Sequence, residues 1–308
     1  MEYILTAENI TKQYGKAKAL DGLSMHIPKG AVYGFVGRNG AGKTTLIRII
    51  CGLQAPTAGS FTLYGAKSDS GAIYKARRHM GAVVERPAFY GDMTARQNLE
   101  MQYTLLGMPS KDGIDDLLKL VGLADTGAKK ARDFSLGMKQ RLGIAIALCS
   151  SPDFLVLDEP VNGLDPQGIV DIREMILKLN RERNITVLIS SHILDELAKL
   201  ATHYGFIEKG KIVQEISAEE LEKQCRKYLR VRVSDAKRLT RAAENLGLDC
   251  EIISESEANL YGSCTVTALT AALAKENCEL VSVSEHEESL ENYFINLVGG
   301  GDSGGAGA

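Results

Sequence analysis

Short apolar runs separated by turn residues dominate the first third of the chain. Their β-branched and aromatic residues predict strands in YILTAENI, ALDGLSMHI, AVYGFVG and GSFTLYG. From Asp92 to Ser150 the apolar spacing becomes helical, and Thr94 and Gln97 stand in capping-box spacing where the first helix begins. We therefore expect a helical subdomain over about residues 92–150.

After Ser150 the chain alternates between buried-type strands and amphipathic helices. The predicted elements are FLVLD, QGIVDIREMILKLNRE, ITVLIS, HILDELAKLA, HYGFIEKG and KIVQEIS. Such alternation is typical of a mostly parallel sheet covered by helices. The pattern therefore predicts an α/β fold with a helical insertion.

Near residue 220 the pattern changes again. The segments KYLRVRVSD, AKRLTRAAENLG, CEIISESE, YGSCTVTAL, TALTAALAKENC, ELVSVSEHEE and SLENYFINLV read as βαββαβα. This order predicts a small α+β domain, with a ferredoxin-like fold as one alternative. We expect a first domain over residues 1–217, a second over 218–298, and a flexible glycine-rich tail over 299–308.

Composition and charge narrow the functional classes. The 308 residues are 44% hydrophobic and 24% charged, and the net charge of −3 argues against a dedicated nucleic-acid binder. The six cysteines form no C-x-x-C pair, so we expect buried, reduced thiols rather than a metal site. No secretory signal is visible, and no apolar run approaches the ~20 residues of a membrane helix. Any membrane role is therefore expected to come through a partner.

The segment VGRNGAGKTT, residues 36–45, matches the phosphate-binding pattern G-x-x-x-x-G-K-[ST] in full. It lies between a predicted strand and a predicted helix, as the pattern requires. We expect the backbone amides to bind phosphate, Lys43 to reach the β and γ phosphates, and Thr44 to bind Mg²⁺. The candidate residues of this segment are Gly37, Asn39, Gly40, Gly42, Lys43, Thr44 and Thr45.

Two later strands end in polar residues that suit the same chemistry. DFLVLDEP, residues 153–160, ends an apolar strand with Asp158, which suits Mg²⁺ binding, and Glu159, which is placed to polarise an attacking water. ITVLISSH ends at His192, at the carboxyl end of a predicted parallel strand, where such sheets place their sites. His192 is therefore expected to contact a γ-phosphate.

The phosphate-binding segment alone leaves GTPases, kinases, RecA-like motors and transporter ATPases open. The sequence has no N-K-x-D, which a guanine-specific GTPase needs for its base. In DFSLGMKQR, Ser135 is a good N-cap, yet Gly137 lies in the first turn, where glycine costs ~1 kcal/mol relative to alanine. A helix start with a capping hydroxyl and an unshielded backbone can bind phosphate and is thus a second phosphate site beside the glycine loop. One nucleotide can use both sites if a second copy of the chain supplies one of them.

Together these motifs resemble the ATP-binding subunits of ABC transporters over about residues 1–215. FSLGMKQR resembles the family signature, with Ser135 and Gly137 in place, although Leu136 stands where a glycine is usual and Met138 where glutamine is common. The resemblance implies that Asp165 in NGLDP meets the partner's phosphate-binding loop, that His192 is the switch histidine and that Tyr14 stacks on adenine.

The segment VVERPAFYGDMT departs from the family, because Glu85 stands where a Mg²⁺-sensing glutamine is usual. Glu85, PAFY and FSLGMKQR together resemble the bacitracin-resistance and lantibiotic-immunity type of ABC ATPase. A carboxylate at this position can bind Mg²⁺ as the usual glutamine oxygen does, so we expect Glu85 to be a further Mg²⁺ ligand beside Thr44 and Asp158.

The resemblance also implies a function. It implies a homodimeric motor that hydrolyses ATP with Mg²⁺ and drives separate membrane permease subunits to export or remove a peptide antibiotic. The fold is then an ABC-type ATPase core with a mostly parallel sheet, an antiparallel β region and a helical subdomain, followed by the small α+β domain. The location is cytoplasmic, on the inner face of the cell membrane through the permease, with no nucleic-acid partner.

Two other classes stay open at this stage. One is an ABC-type ATPase that acts on ribosomes or DNA, although the chain shows neither two ATPase units nor long coiled-coil arms. The other is a sensor protein that is regulated through its C-terminal domain.

Overall fold

The computed structural model describes residues 2–225, 228–262, 264–286 and 290–299. It divides the chain into two compact units, Met1–Ala218 and Glu219–Ala308. The predicted glycine-rich tail lies, apart from Gly299, outside the described residues.

The first unit contains ten strands and seven of the helices described below. Its strands are β1 (Tyr3–Tyr14), β2 (Ala17–Pro28), β3 (Val32–Val36), β4 (Ala58–Leu63), β5 (Ala66–Lys67), β6 (Met80–Val83), β7 (Phe154–Asp158), β8 (Thr186–Ser191), β9 (His203–Glu208) and β10 (Lys211–Ser217). Its helices are α1 (Lys43–Ile50), α2 (Ala72–Arg77), α3 (Ala95–Leu105), α4 (Ile114–Leu120), α5 (Leu136–Leu148), α6 (Pro166–Arg183) and α7 (Leu194–Ala198).

A six-stranded sheet in the order β10-β9-β3-β8-β7-β6 forms the centre of this unit. All of its neighbouring strands are parallel except β10, which runs antiparallel to β9. Every residue of β3, β7 and β8 is buried, as expected for parallel strands that are covered on both faces. This arrangement confirms the predicted α/β fold class.

A second, antiparallel sheet in the order β2-β1-β4-β5 packs in the same hydrophobic core. Apolar residues of β1 and β2, such as Ile10 and Leu23, meet Ile47 and Ile50 of α1 in that core. The antiparallel β region that the family resemblance implied is therefore confirmed.

The helical segment between β6 and β7 contains α3, α4 and α5. Thr94 and Gln97 form the predicted capping box at the start of α3. Ser135 accepts a hydrogen bond from the Met138 amide and so caps α5, as its position predicts. β6, which leads into Glu85, was not among the predicted strands.

The second unit is a four-stranded antiparallel sheet with two helices packed in its core. Its elements are α8 (Ala218–Gln224), whose first residue belongs to the first unit, β11 (Tyr228–Val233), α9 (Ala236–Asn245), β12 (Asp249–Ser254), β13 (Glu257–Tyr261), α10 (Val266–Lys275), β14 (Leu280–His286) and α11 (Leu290–Gly299). The strand order β12-β13-β11-β14, joined as βαββαβ, is that of the ferredoxin-like fold.

One strand of this unit lies elsewhere than predicted. The sequence YGSCTVTAL suggested a strand over residues 261–269, but β13 ends at Tyr261 and α10 begins at Val266. The β-branched Thr265 and Val266 mimic a strand, yet Thr265 caps α10 by accepting a hydrogen bond from the Ala268 amide. The prediction was wrong because β-branched residues are typical of strands but here lie at the start of a helix, and composition does not distinguish the two.

The longest described helix, α6, shows how the helices cover the central sheet. Its 18 residues begin after the N-cap Asp165 and end before the C-cap Asn184, which adopts a left-handed conformation. Its buried residues, Ile172, Met175, Ile176 and Leu179, recur at helical spacing on one face. Within the described ranges, no helix combines the length and apolar character that crossing a bilayer requires.

A hydrogen bond between side chains links β10 to the central strand β3. The Tyr33 hydroxyl, on a side chain only 1% exposed, donates a hydrogen bond of 2.6 Å to the Glu215 carboxylate. Burial, together with the charge of Glu215, raises the pKa of Tyr33 well above its ordinary value, so the phenol remains a donor.

We predict that a chain ending at Ala218 folds by itself, because the core of the first unit is built from residues that precede it. It should unfold cooperatively when followed by circular dichroism. A chain ending at Glu208 is the matched control: it loses β10 and leaves the Tyr33 phenol without Glu215, at a cost of about 1–3 kcal/mol for the orphaned group alone. Equal, non-cooperative melting of both chains would contradict the boundary.

Candidate functional site

The carboxyl ends of four parallel strands meet at one edge of the central sheet. β3 leads into Gly37, β7 ends at Asp158, β8 ends just before His192, and β6 ends two residues before Glu85. Because the strands are parallel and in register, residues far apart in the sequence are brought to this one edge.

The loop between β3 and α1 is shaped by glycines that have no room for a side chain. A Cβ on Gly37 would lie 2.6 Å from the Ile207 carbonyl oxygen, and a Cβ on Gly42 would lie 2.6 Å from the Ala19 carbonyl oxygen. Gly42 also has a φ of 114°, which L side chains rarely adopt. At the tip of the loop, Asn39 and Gly40 are exposed. A glycine loop that opens a helix in this way is an anion-binding structure.

Lys43, the first residue of α1, is a buried cation with only 6% of its surface exposed. Its ammonium donates hydrogen bonds to the carbonyl oxygens of Gly37 and Arg38. It also lies 3.3 Å from Oε1 of Glu159. The cation thus spans the loop and the end of β7. Thr44 and Thr45, which follow it, are half-buried.

Asp158 is almost fully buried, at 1% exposure, and only one of its oxygens is hydrogen-bonded. The Ser190 hydroxyl donates to Oδ1 at 2.6 Å, while the Glu159 amide donates to the Ser190 oxygen at 2.9 Å. Oδ2 has no hydrogen-bond partner among the residues that the structure describes. A buried carboxylate oxygen without a donor is a natural ligand for a cation.

Ser190 is a site residue that the sequence analysis missed. It pairs with Asp158 because the two residues are directly opposite in the β7–β8 ladder. The signal in the sequence was a serine two residues before His192, but only the register shows which carboxylate it faces.

Glu159 lies between two basic groups. Its Oε2 is 2.8 Å from Nδ1 of His192, and its Oε1 faces Lys43. Its backbone is left-handed, with a φ of 50°, which is uncommon for a residue other than glycine. A carboxylate held in this way, with 19% of its side chain exposed, is well placed to accept a proton from water.

A cavity of about 740 Å³ opens at this edge of the sheet. Thr44, Asp158 and Glu159 line it together with residues of the Glu85 loop. Residues of α5 and of the loop after β7 complete the lining: Leu136, Lys139, Gln140, Asn162 and Gly163. The cavity therefore collects the three predicted metal-binding residues, Thr44, Glu85 and Asp158.

Glu85 does not stand alone in this cavity, because its carboxylate forms an ion pair with the Arg48 guanidinium of α1. Arg48 was not identified from the sequence, where it appears as an ordinary helix residue. The loop that carries Glu85 also packs tightly on α5: a Cβ on Gly143 would lie 2.4 Å from the Pro87 Cβ.

Four predicted site residues, Ser135, Gly137, Asp165 and Tyr14, are not part of the cavity lining. Ser135 caps α5, and Asp165 caps α6 by accepting a hydrogen bond of 3.1 Å from the Gly168 amide. The two caps belong to one patch, because a Cβ on Gly163 would lie 3.3 Å from Leu136 and a Cβ on Gly137 would lie 3.8 Å from Leu164. We call residues 135–137 and 163–165 the signature patch.

Tyr14, at the end of β1, is 49% exposed. Its hydroxyl donates a hydrogen bond to Gln54, and the Lys12 ammonium lies 5.3 Å from the ring centre. The ring is thus partly open to a planar ligand.

In the described part of the chain, no three His, Cys, Asp or Glu side chains converge on a metal position by themselves. A Mg²⁺ ion in a phosphate-transfer site takes most of its ligands from phosphate oxygens and water, with one or two carboxylates from the protein. The Thr44 hydroxyl and the Asp158 carboxylate fit that smaller requirement.

Comparisons with known proteins agree with this geometry. Residues 20–162 match the family model described as "ABC transporter". The chain is 42% identical to the bacitracin transport ATP-binding protein BcrA of Bacillus licheniformis, over 99% of this chain and 100% of that protein. It is 44% identical to the lantibiotic transport ATP-binding protein SrtF of Streptococcus pyogenes, over 69% of this chain and 90% of that protein.

A solved structure has the same fold over most of the chain. The ATP-binding cassette MJ0796, solved as a dimer in a post-hydrolysis state with ADP and phosphate, superimposes with a TM-score of 0.63. The match covers 70% of this chain and 98% of that one, at 26% sequence identity.

We predict that Ser190→Ala lowers the free energy of unfolding by about 1.5–3 kcal/mol, because it removes a hydrogen bond to a buried carboxylate. Urea unfolding measures this loss. Ser191→Ala is the matched control, since the hydroxyl of this neighbouring buried serine bonds to the backbone of Ile193 and its loss should cost about 1 kcal/mol. The assignment fails if the two variants lose the same stability.

Proposed function

Because the chain belongs to the family of ABC transporter ATP-binding proteins, we propose that it powers separate permease subunits that export or remove a peptide antibiotic. The predicted resemblance to the bacitracin and lantibiotic type is confirmed by relatives of both names. The chain is an ATPase subunit of this family, and its substrate is inferred from those relatives. BcrA is named for bacitracin transport and SrtF for lantibiotic transport.

The observation that carries the proposal is the cluster at the edge of the central sheet. Lys43, Asp158, Glu159 and His192 are linked by contacts of 2.6 to 3.3 Å, directly or through Ser190. The cluster unites a phosphate-binding lysine, a buried metal-binding carboxylate and a general base. This combination is what ATP hydrolysis requires.

The glycine loop supplies the phosphate site, and two side chains fit Mg²⁺. The unpartnered Oδ2 of Asp158 and the Thr44 hydroxyl would hold the ion beside the phosphates. Bound Mg²⁺ neutralises the charge that develops on the phosphate oxygens. Glu85 lines the same cavity, and we propose it as a third oxygen ligand.

Glu159 is the proposed general base. Its Oε2 is held by His192, so its Oε1 is the oxygen that remains for water. In the structure that oxygen faces Lys43 at 3.3 Å. A bound triphosphate carries more negative charge than one carboxylate and attracts the ammonium more strongly. Glu159 is then free to accept the proton of an attacking water.

The signature patch supplies the second half of the site to another copy of the chain. Ser135 begins α5, so its hydroxyl and the first amides of the helix form a partial positive charge that suits a γ-phosphate. Asp165 lies in the same patch and meets the other copy's glycine loop. The dimeric arrangement of the cassette MJ0796 supports this homodimer.

A groove of about 670 Å³ is the proposed contact for a permease helix. Its rim exposes large apolar side chains, with Tyr74 at 72% exposure and Leu105 at 67%. Arg77 and Arg78 give the groove positive charge. An apolar groove with a basic wall fits an amphipathic helix that carries acidic residues.

We predict that Ser135 acts in trans. Mixing Lys43→Ala chains with Ser135→Arg chains should restore ATPase activity above that of either variant alone, because each mixed dimer keeps one intact site. Mixing Lys43→Ala with Glu159→Gln chains is the control and should restore nothing, since both residues serve the same half-site. No recovery in the first mixture would show that the signature works in cis. Recovery in the control mixture would show that Lys43 and Glu159 do not serve the same half-site.

We predict that Leu105→Asp uncouples the chain from its permease, because it places a charge in the apolar groove. Co-purification with the permease subunits should fall on the order of tenfold, as expected for an interface anchor. Cells that express the variant with the permease should lose tolerance to bacitracin.

Leu53→Asp is the control for this experiment, since Leu53 is equally exposed, at 65%, but lies outside the groove. Its co-purification and tolerance should match wild type. ATP binding by both variants should be unchanged. Wild-type cells without increased bacitracin tolerance would exclude this substrate, and equal effects of the two variants would exclude the groove.

A further inference from the structure

Glu85 is held by its surroundings in an unusual backbone conformation. Its φ of 60° lies in the left-handed region, which residues other than glycine rarely adopt. The residue follows β6 closely, and the loop behind it is fixed by the contact between Pro87 and Gly143. The position of the Glu85 side chain is therefore defined from both sides.

The side chain that forms an ion pair with the Glu85 carboxylate is that of Arg48. It lies four residues after Thr44 on α1, so the two residues share a face of the helix, one turn and about 6 Å apart. The ion pair holds the carboxylate beside the helix that carries the Thr44 hydroxyl. Both partners are about half exposed, at 41% and 53%.

The charge balance of the cavity explains why this pair matters. Glu85, Asp158 and Glu159 contribute three carboxylates to the lining, and Arg86 and Lys139 contribute two cations. Lys43 faces Glu159, and Ser190 holds Asp158. The carboxylate of Glu85 is the one that Arg48 neutralises, and without Arg48 it would repel the phosphates of a nucleotide.

We propose that Arg48 is a positioning residue that holds the Glu85 carboxylate one helical turn from Thr44 and competes with the nucleotide's Mg²⁺ for it. This inference rests on the proposed function, since it places a Mg-nucleotide at Thr44 and Asp158. Because Arg48 neutralises the Glu85 carboxylate, the protein keeps its affinity for nucleotide at low Mg²⁺ concentration.

The expected consequence is a change in metal dependence. In Arg48→Met the Glu85 charge is no longer neutralised, so nucleotide binding without metal becomes weaker. Binding with Mg²⁺ is spared, because the metal no longer competes with a guanidinium. The ratio of the dissociation constants without and with Mg²⁺ should rise about three- to tenfold, a modest factor because the pair is half exposed. Arg48→Lys should keep the wild-type ratio.

The test is a titration of the full-length protein with a non-hydrolysable fluorescent ATP analogue, in EDTA and in Mg²⁺. The Arg48→Met change is then repeated in the Glu85→Gln background, where the ratio should change less than twofold. Arg96→Met is the matched control, because it breaks another exposed arginine–carboxylate pair, with Asp115, away from the cavity. Thermal unfolding checks that every variant is folded.

Two results would overturn the role of Arg48. One is a ratio that Arg48→Met leaves unchanged in the wild-type background, and the other is an equal change in the Glu85→Gln background. Failure of the proposed function looks different: wild type itself would then show no Mg²⁺-dependent binding of the analogue, and the positioning role would fall with it.

Discussion

The register of the parallel strands is the constraint on which the site depends. Asp158 stands opposite Ser190, and Val36 stands opposite Ser191, so the phosphate loop, the carboxylates and His192 reach one edge together. A shift of two residues along β8 would move Ser190 by roughly 6.6 Å and remove it from Asp158. The shift is resisted because all residues of β3, β7 and β8 are buried, and each fills a defined place in the core.

Features that depend on neighbouring residues could be predicted from the sequence. The caps at Thr94 and Ser135 and the glycine loop around Lys43 each follow from a few consecutive residues. The contacts of Ser190 and Arg48 could not be predicted, because their partners are 32 and 37 residues away and are chosen by strand register and loop conformation. The misplaced strand near Thr265 has a different cause, since a β-branched helix cap and a strand look alike in composition.

The charged side chains of the site are paired with one another and with backbone carbonyl groups of the protein. Lys43 is satisfied by two carbonyl oxygens and Glu159, and Glu159 is shared with His192. Buried charges of this kind are tolerable only when they are paired, and pairing also limits the rotamers that each side chain can adopt. The site therefore combines stability with a geometry that needs little rearrangement, which is the usual source of electrostatic preorganisation.

The tight contact between Gly143 and Pro87 has a mechanical consequence. Because Gly143 has no side chain, the Glu85 loop packs directly against α5, a 13-residue helix about 20 Å long. This contact point divides α5 unequally: about 12 Å separates it from Ser135, and about 5 Å from Ile146, which lines the apolar groove beside Leu105. A rod pivoted there acts as a reduction lever, so a displacement at the Ser135 end becomes a shorter displacement with greater force at the Ile146 end.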